Sequence, residues 1–216
     1  NSFPATSTEA DYLTLTYYDD YDVTDTWDGG GYTYLDAGLS TVTNDTYTTP
    51  ASENQNVKGQ VTGSQVKNLG DNTWLKTVTY YDDKYRVIQT VADNQLGGVE
   101  RMSSLYDFTG KVLQIKAVHG DGTTTHTTLQ TNTYDHAGRL LKAYYQLDGG
   151  ANVLLSSNAY NELGELIEKD LHSTDETNFA QSVDYDYNIR GWLTSINDPT
   201  LSDGESDYFG MELMYN

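Results

Sequence analysis

Cysteine is absent from this chain of 216 residues, so disulfide frameworks and thiolate metal sites are excluded. Zero cysteine fits both a cytosolic protein and a secreted bacterial protein that does without bridges. Proline occurs only 3 times, which argues against a disordered proline-rich linker. No run approaches the roughly 18 apolar residues that a membrane span needs, and no signal peptide is recognisable. The first residue is Asn1 and not methionine, which predicts a processed or excerpted piece.

Basic residues are also scarce, with 12 against 32 acidic ones and a formal net charge of −20. Such a surface repels phosphate backbones and anionic lipids. We therefore expect neither a nucleic-acid partner nor a membrane-spanning or membrane-surface protein. The same charge keeps a protein soluble without any further role.

The aromatic content is uneven, with 19 Tyr against 4 Phe, and only 37% of the residues are apolar. Mean hydropathy is −0.63, which disfavours a helical protein with a large core. Tyrosine and threonine suit the half-exposed surface of a β-sheet, and 19 glycines supply turns. No stretch shows convincing helical periodicity, so the sequence predicts an all-β fold.

A unit of eight residues recurs five times at spacings of 25 to 28 residues. Its first residue is always Tyr and its second is Asp or Asn; an aliphatic residue stands six positions after the Tyr. Glycine stands four positions after the Tyr in every copy except the first, where Tyr85 replaces it. The copies are YDDKYRVI from Tyr81, YDFTGKVL from Tyr106, YDHAGRLL from Tyr134, YNELGELI from Tyr160 and YNIRGWLT from Tyr187.

The unit predicts a β-hairpin with a tight turn that often carries a bulge. Asp135 suits the first position of such a turn, because its carboxylate accepts a backbone N–H, and Gly138 suits a position with positive φ. Asn161 and Asn188 can replace the carboxylate. Tyr85 should be strained there or accommodated by a looser turn, because glycine alone adopts positive φ at no steric cost.

The repeat also divides the chain. Residues 1–79 form an irregular, β-rich lead-in, and residues 80–216 carry the repeat hairpins, in one continuous domain that is incomplete at its C-terminal end. Apolar side chains on both faces, as at Leu140 and Leu141, predict a sheet partly covered on each side. Tandem hairpins of this kind predict a curved, open antiparallel sheet whose unpaired edges invite other strands. We expect partners there: further parts of the same polypeptide or a larger protein complex.

The ordered units resemble the RHS or YD repeats of the Bacteroidota, as do VKGQVTGSQVKNLG upstream and DYFGMELMYN at the end. The resemblance implies a segment of a β-sheet strip wound into a spiral shell. In that family the shell is extracellular or on the cell surface, often encloses a toxic domain, and is commonly exported by the type 9 route. The family's Asp-Pro-x-Gly self-cleavage signature is missing, because Asp198-Pro199 is not followed by the required Gly.

Candidate chemistry is sparse, and we predict no catalytic, cofactor-binding or metal-binding residues. His119 and His126 could in principle share a metal with Asp121, but the sequence favours polar residues of a long hairpin link. His136 occupies a permissive turn position, and the fourth histidine is His172. The run Asp19, Asp20, Asp22, Asp25 and Asp28 resembles a calcium loop but lacks its residue order, so calcium is the alternative to a solvated loop. No hydrolase, zinc, phosphate or dinucleotide motif occurs.

Three functions fit the sequence. The first is a structural shell segment of a secreted or cell-surface RHS-repeat protein of a Gram-negative bacterium, with no catalysis of its own. The second is a carbohydrate-binding or adhesive module that uses Trp27, Trp74 and Trp192 to bind glycans. The third is an accessory or cargo component of an outer-membrane type 9 secretion complex.

Overall fold

A computed structural model describes residues 12–27, 31–42, 46–202 and 207–215. Within these residues the chain consists of fifteen strands and one short helix, α1 (Asp22–Thr26), which confirms the predicted all-β class. The strands are β1 (Thr14–Asp19), β2 (Ser40–Val42), β3 (Thr46–Thr48), β4 (Val57–Lys67), β5 (Trp74–Tyr81), β6 (Val87–Asp93), β7 (Val99–Tyr106), β8 (Val112–Gly120), β9 (Thr125–Tyr134), β10 (Leu140–Leu147), β11 (Val153–Tyr160), β12 (Leu166–Ser173), β13 (Gln181–Tyr187), β14 (Leu193–Ile196) and β15 (Met211–Glu212).

Thirteen of the described strands form one antiparallel sheet that does not close into a barrel. Their order is β1, β4 and then β5 to β15 in sequence, so from β4 onward each strand lies beside its neighbour in the chain. Strands β2 and β3 pair with each other as a separate small hairpin. The prediction of tandem hairpins in an open antiparallel sheet is confirmed.

The chain divides into two compact units, Asn1–Thr128 and Leu129–Asn216, and the division falls inside β9. The predicted boundary between the lead-in (1–79) and the repeats (80–216) marks a change of sequence pattern. That boundary stays a prediction.

The hydrophobic core of the first unit lies between its sheet and the lead-in. Val78 and Val91 are opposite each other in the β5–β6 register, and both are fully buried. Trp27 and Tyr32 of the lead-in belong to the same buried cluster. The Tyr80 hydroxyl donates a 2.6 Å hydrogen bond to the Tyr32 carbonyl. The part of the lead-in between β1 and β4 therefore covers one face of the sheet in the first unit. The sequence predicts a partly covered sheet but does not identify the segment that covers it.

Two polar side chains of the sheet hold this lead-in in place. Gln89 is 1% exposed; its Oε1 accepts the Leu35 N–H at 3.1 Å, and its Nε2 donates to the Leu35 carbonyl at 2.7 Å. The Arg101 guanidinium donates to the carbonyls of Thr33 and Gly31, both at 2.9 Å. The Gln89 amide thus bonds both the N–H and the C=O of Leu35. It satisfies these two backbone groups as the backbone of a neighbouring strand would.

The helix α1 is an exception to the all-β prediction. Its first turn is closed by the N–H of Thr24, which donates to the Tyr21 carbonyl at 2.9 Å. The N–H of Asp22 donates to Asp20 Oδ1 at 3.2 Å. Five residues are too few to show a helical period in the sequence, so the pattern could not reveal this helix.

In four of the repeat hairpins, a β-bulge lies at the end of the strand that precedes the turn. The register shifts fall at Tyr80/Tyr81, Leu105/Tyr106, Ala159/Tyr160 and Asp186/Tyr187. Each shift lies at the Tyr of the repeat, directly before the turn. The bulge expected for this type of loop is confirmed in these four hairpins.

Candidate functional site

The repeat turn is fixed from inside by one carboxylate oxygen, as Asp107 illustrates. Asp107 Oδ1 accepts the backbone N–H groups of Thr109 at 2.8 Å and Lys111 at 2.9 Å. The Gly110 N–H donates to the Asp107 carbonyl at 3.2 Å, and Gly110 has a φ of 96°. The carboxylate and the glycine therefore have the roles predicted for them, at the predicted position in the sequence.

The amide turns follow the same pattern. Asn161 Oδ1 accepts the N–H groups of Leu163 and Glu165, both at 3.0 Å, and Asn188 repeats this arrangement at 2.9 and 3.1 Å. The closing glycines of the remaining turns have φ values between 74° and 89°. The predicted use of Asn in place of Asp is confirmed, because in both residues Oδ1 accepts the same two backbone N–H groups.

The first turn keeps this geometry without glycine. Tyr85 has a φ of 60°, and its N–H donates to the Asp82 carbonyl at 3.1 Å. The turn is therefore closed as in the other copies and is not looser, which leaves strain at Tyr85 as the expected cost of its positive φ.

Replacing Tyr85 with glycine should stabilise the protein by about 0.5–1 kcal/mol, because the strain is relieved at a position that is 44% exposed. Urea unfolding of the variant and the wild type measures the difference. The same replacement at Tyr106, whose hydroxyl bonds the Val87 carbonyl, should destabilise instead. A loss of stability in Tyr85→Gly would contradict the strain.

A basic side chain links successive turns in the first unit. Arg86 Nε lies 2.6 Å from Asp82 Oδ2 in its own turn. Its Nη1 donates to the Asp107 carbonyl of the next turn at 2.7 Å, and its Cζ lies 4.8 Å from the centroid of the Tyr106 ring. The basic residue of the repeat therefore joins its turn to the following one.

The second unit contains two further versions of this contact. Arg139 Cζ lies 4.5 Å from the centroid of the Tyr160 ring. Trp192 stands at the same repeat position, and its ring centroid lies 5.1 Å from that of Tyr215. Trp192 thus packs on the following tyrosine as the arginines do, which gives it a structural role.

The repeat tyrosines bond the backbone of the preceding hairpin. In four of these bonds the acceptor is the carbonyl of the first residue of a strand, two residues before that strand's ladder with the next strand begins. Tyr81 donates to the Val61 carbonyl at 2.8 Å, which lies inside β4 and also two residues before the ladder with β5 begins. The hydroxyl thus satisfies a carbonyl beyond the end of the ladder, which explains why the repeat uses Tyr and not Phe. The bonds are Tyr106 to Val87 (2.8 Å), Tyr160 to Leu140 (3.0 Å), Tyr187 to Leu166 (2.9 Å) and Tyr215 to Leu193 (2.7 Å).

A sixth turn of the same kind was missed in the sequence. Asn94 Oδ1 accepts the N–H groups of Leu96 at 3.0 Å and Gly98 at 2.9 Å, and Gly97 has a φ of 81°. This stretch lies outside the eight-residue unit, because Asp93 and not Tyr precedes Asn94. The Asn-x-x-Gly spacing was the signal that could have identified it.

Protonation should weaken these turns. The backbone N–H of Arg139 lowers the pKa of Asp135, and the N–H of Thr124 lowers the pKa of Asp121. A carboxyl whose pKa is lower in the folded state contributes stability above its unfolded pKa, near 4, and loses that contribution as the pH falls through the folded pKa.

We therefore expect the free energy of unfolding at pH 7 to be larger for the wild type than for Asp135→Asn. This difference between the two proteins should shrink steadily below about pH 4. The Asn variant is the matched control, since it keeps the Oδ1 acceptor and does not titrate. Urea titrations between pH 7 and pH 2 at constant ionic strength measure both proteins. A difference that stays constant over this range would contradict the role of the carboxylate.

The histidine candidates have other partners. His119 Nδ1 lies 2.9 Å from Glu100 Oε1 at an exposed position. Asp121 Oδ1 accepts the N–H groups of Thr123 at 2.8 Å and Thr124 at 2.7 Å, so it closes its own loop. Across residues 12–27, 31–42, 46–202 and 207–215, no three His, Cys, Asp or Glu side chains are grouped to hold a metal ion.

The predicted alternative of a calcium loop lies partly outside the described residues, namely at Asp28 and the side chain of Asp25. Asp19 Oδ1 accepts the N–H of Gly59 at 2.5 Å, so this carboxylate ties β1 to β4. The calcium hypothesis stays a prediction.

The three tryptophans differ in their availability to a ligand. Trp27 is 6% exposed and packs edge-on against Tyr17 and Tyr32 at centroid distances of 5.9 and 5.2 Å. It belongs to the core, so it cannot stack on a glycan. Trp74 is half-buried and lines an open groove of about 450 Å³ in the first unit.

Comparison with protein-family models and with curated proteins finds no match for this chain. Among the residues that the structure describes, no helix is long and apolar enough to cross a membrane.

Proposed function

We propose that this chain is a structural wall segment of a secreted or cell-surface protein of the RHS/YD-repeat type, with no catalysis of its own. Its role is to enclose or present another domain. The observation that carries the proposal is the hairpin unit itself, in which one Asp or Asn oxygen, one residue of positive φ and one tyrosine hydroxyl recur.

The use of the polar side chains supports a structural role. The repeat carboxylates accept hydrogen bonds from their own turns, and the basic residues that follow bond those carboxylates or the next turn. Groups engaged in this way are not poised as nucleophiles or proton donors. The high negative charge suits a wall that must remain soluble.

Limited proteolysis of the native polypeptide, purified from its source cells, tests the proposal. We expect residues 57–197 to resist cleavage and to protect a second domain of the same polypeptide. Opening the wall with Gly98→Ala should expose that domain to protease, whereas Gly31→Ala should not. Equal cleavage of the second domain in all three proteins would contradict enclosure, and reproducible turnover of a substrate by these residues would contradict the absence of catalysis.

A further inference from the structure

The groove that Trp74 lines lies between two loops of the first unit. One loop joins β4 to β5 across residues 68–73, and the other joins β6 to β7 across residues 94–98. Both loops are at the strand ends opposite the Asp82 turn, because successive loops of an antiparallel sheet alternate between its two ends. The groove has a volume of about 450 Å³, which falls within the range of small-ligand sites.

One wall of the groove is aromatic. Trp74 is the first residue of β5 and is half-buried, and Lys67 Nζ lies 5.8 Å from the centroid of its ring. A partly exposed indole beside a polar cleft offers a flat apolar surface to a ligand. The C–H face of a pyranose sugar is the usual complement of such a surface.

Both loops of the groove also carry polar groups in fixed positions. Asp71 Oδ1 accepts the N–H and the Oγ1–H of Thr73 at 2.9 and 2.6 Å, which orients Oδ2 without engaging it. Asn94 is held by the Gly98 N–H at 2.9 Å and by the Gly120 carbonyl at 2.6 Å. Preorganised acceptors of this kind bind hydroxyl groups at little entropic cost.

The charge of the groove selects among sugars. Asp71 and Asp93 both line it, whereas one cation, Lys67, lies beside the Trp74 ring at 5.8 Å from its centroid, so the carboxylates outnumber the basic group. Carboxylates accept hydrogen bonds from hydroxyls and repel uronic or sulfated sugars. Gln95 is exposed and adds an amide that bonds to no other described side chain.

We propose that this groove binds a neutral oligosaccharide, with one pyranose ring stacked on Trp74 and its hydroxyls bonded to Asp71. The site is independent of the wall function, since a wall needs no ligand at its loop ends. Neither carbohydrate binding nor its absence would decide whether the chain encloses another domain.

Isothermal titration calorimetry of the full chain with cellohexaose, maltohexaose, chitohexaose and mannohexaose tests the site, with hexagalacturonate as the anionic probe. We expect saturable binding of at least one neutral hexasaccharide, and at least about tenfold weaker binding of hexagalacturonate. Trp74→Ala should weaken the neutral ligand by at least about tenfold, and Trp74→Phe should weaken it less. Ligand should also shift tryptophan fluorescence in wild type but not in Trp74→Phe.

Two matched variants separate the groove from the rest of the surface. Phe108→Ala removes a 71% exposed aromatic residue outside the groove and should leave the affinity unchanged. Asp71→Asn keeps the Oδ1 acceptor but removes the negative charge. It should therefore reduce the difference in affinity between neutral and anionic ligands. The proposal is overturned if no neutral hexasaccharide binds, if Trp74→Ala binds as wild type does, or if hexagalacturonate binds as tightly as the neutral ligands.

Discussion

Gly98→Ala is expected to disrupt the first unit, at a cost of more than about 4 kcal/mol in the free energy of unfolding. A methyl group at Gly98 would lie 1.8 Å from the Gly120 carbonyl oxygen and 2.5 Å from its carbon. Both are backbone atoms of Gly120, the last residue of β8, whose carbonyl also accepts a hydrogen bond from Asn94 Nδ2 at 2.6 Å. Because no side chain can rotate away, the loop of Gly98 and the end of β8 must separate.

Urea unfolding followed by circular dichroism measures this effect, and Gly31→Ala is its control. No atom of the described residues lies within 4 Å of a methyl group at Gly31, and its φ lies outside the left-handed region. We expect this control to change stability by no more than about 0.5 kcal/mol. Equal stabilities for the two variants would contradict the close packing of Gly98 against the end of β8.

Trp27→Ala is expected to cost about 3–5 kcal/mol, the usual range for removing a buried aromatic side chain. The Trp27 ring packs against Tyr17 and Tyr32, and Lys76 Nζ lies 5.6 Å from its centroid. Its loss would open a cavity between the lead-in and the sheet and so expose apolar surface.

Chemical denaturation measures the loss, and the binding of a hydrophobic dye reports the exposed core. Phe108→Ala is the control, since a 71% exposed side chain contributes little to stability. A Trp27→Ala variant as stable as wild type would show that Trp27 is not part of the core. Its ring would then be available to a ligand.

The turns were the predictable part of this fold, because their determinants lie within five residues. Asp107 and Gly110 act on atoms of their own loop, so the sequence alone places them. The bulges follow from the same loop type. Asn94 obeys the same rule, and the sixth turn was missed only because no repeat tyrosine precedes it.

Other features depend on contacts between distant segments. The Gln89 amide bonds the backbone of Leu35, which is 54 residues away in the chain. The sequence around either residue contains no pattern that predicts this contact. The sequence likewise suggests Trp27 as a ligand-binding residue, whereas the structure buries it. Burial is set by packing and not by residue type, so the sequence alone does not reveal it. The tyrosine hydroxyl bonds could not be foreseen either, since their acceptors lie in the preceding hairpin.

A single side-chain oxygen sets each bend, and the most direct test of its role is urea unfolding of paired variants at Asp107. Asp107→Asn retains the Oδ1 acceptor and should cost no more than about 0.5 kcal/mol. Asp107→Ala removes the acceptor of two backbone N–H groups and should cost about 1.5–3 kcal/mol. If the alanine and asparagine variants were equally stable, the bend would not depend on this oxygen, and the explanation of the repeat would be wrong.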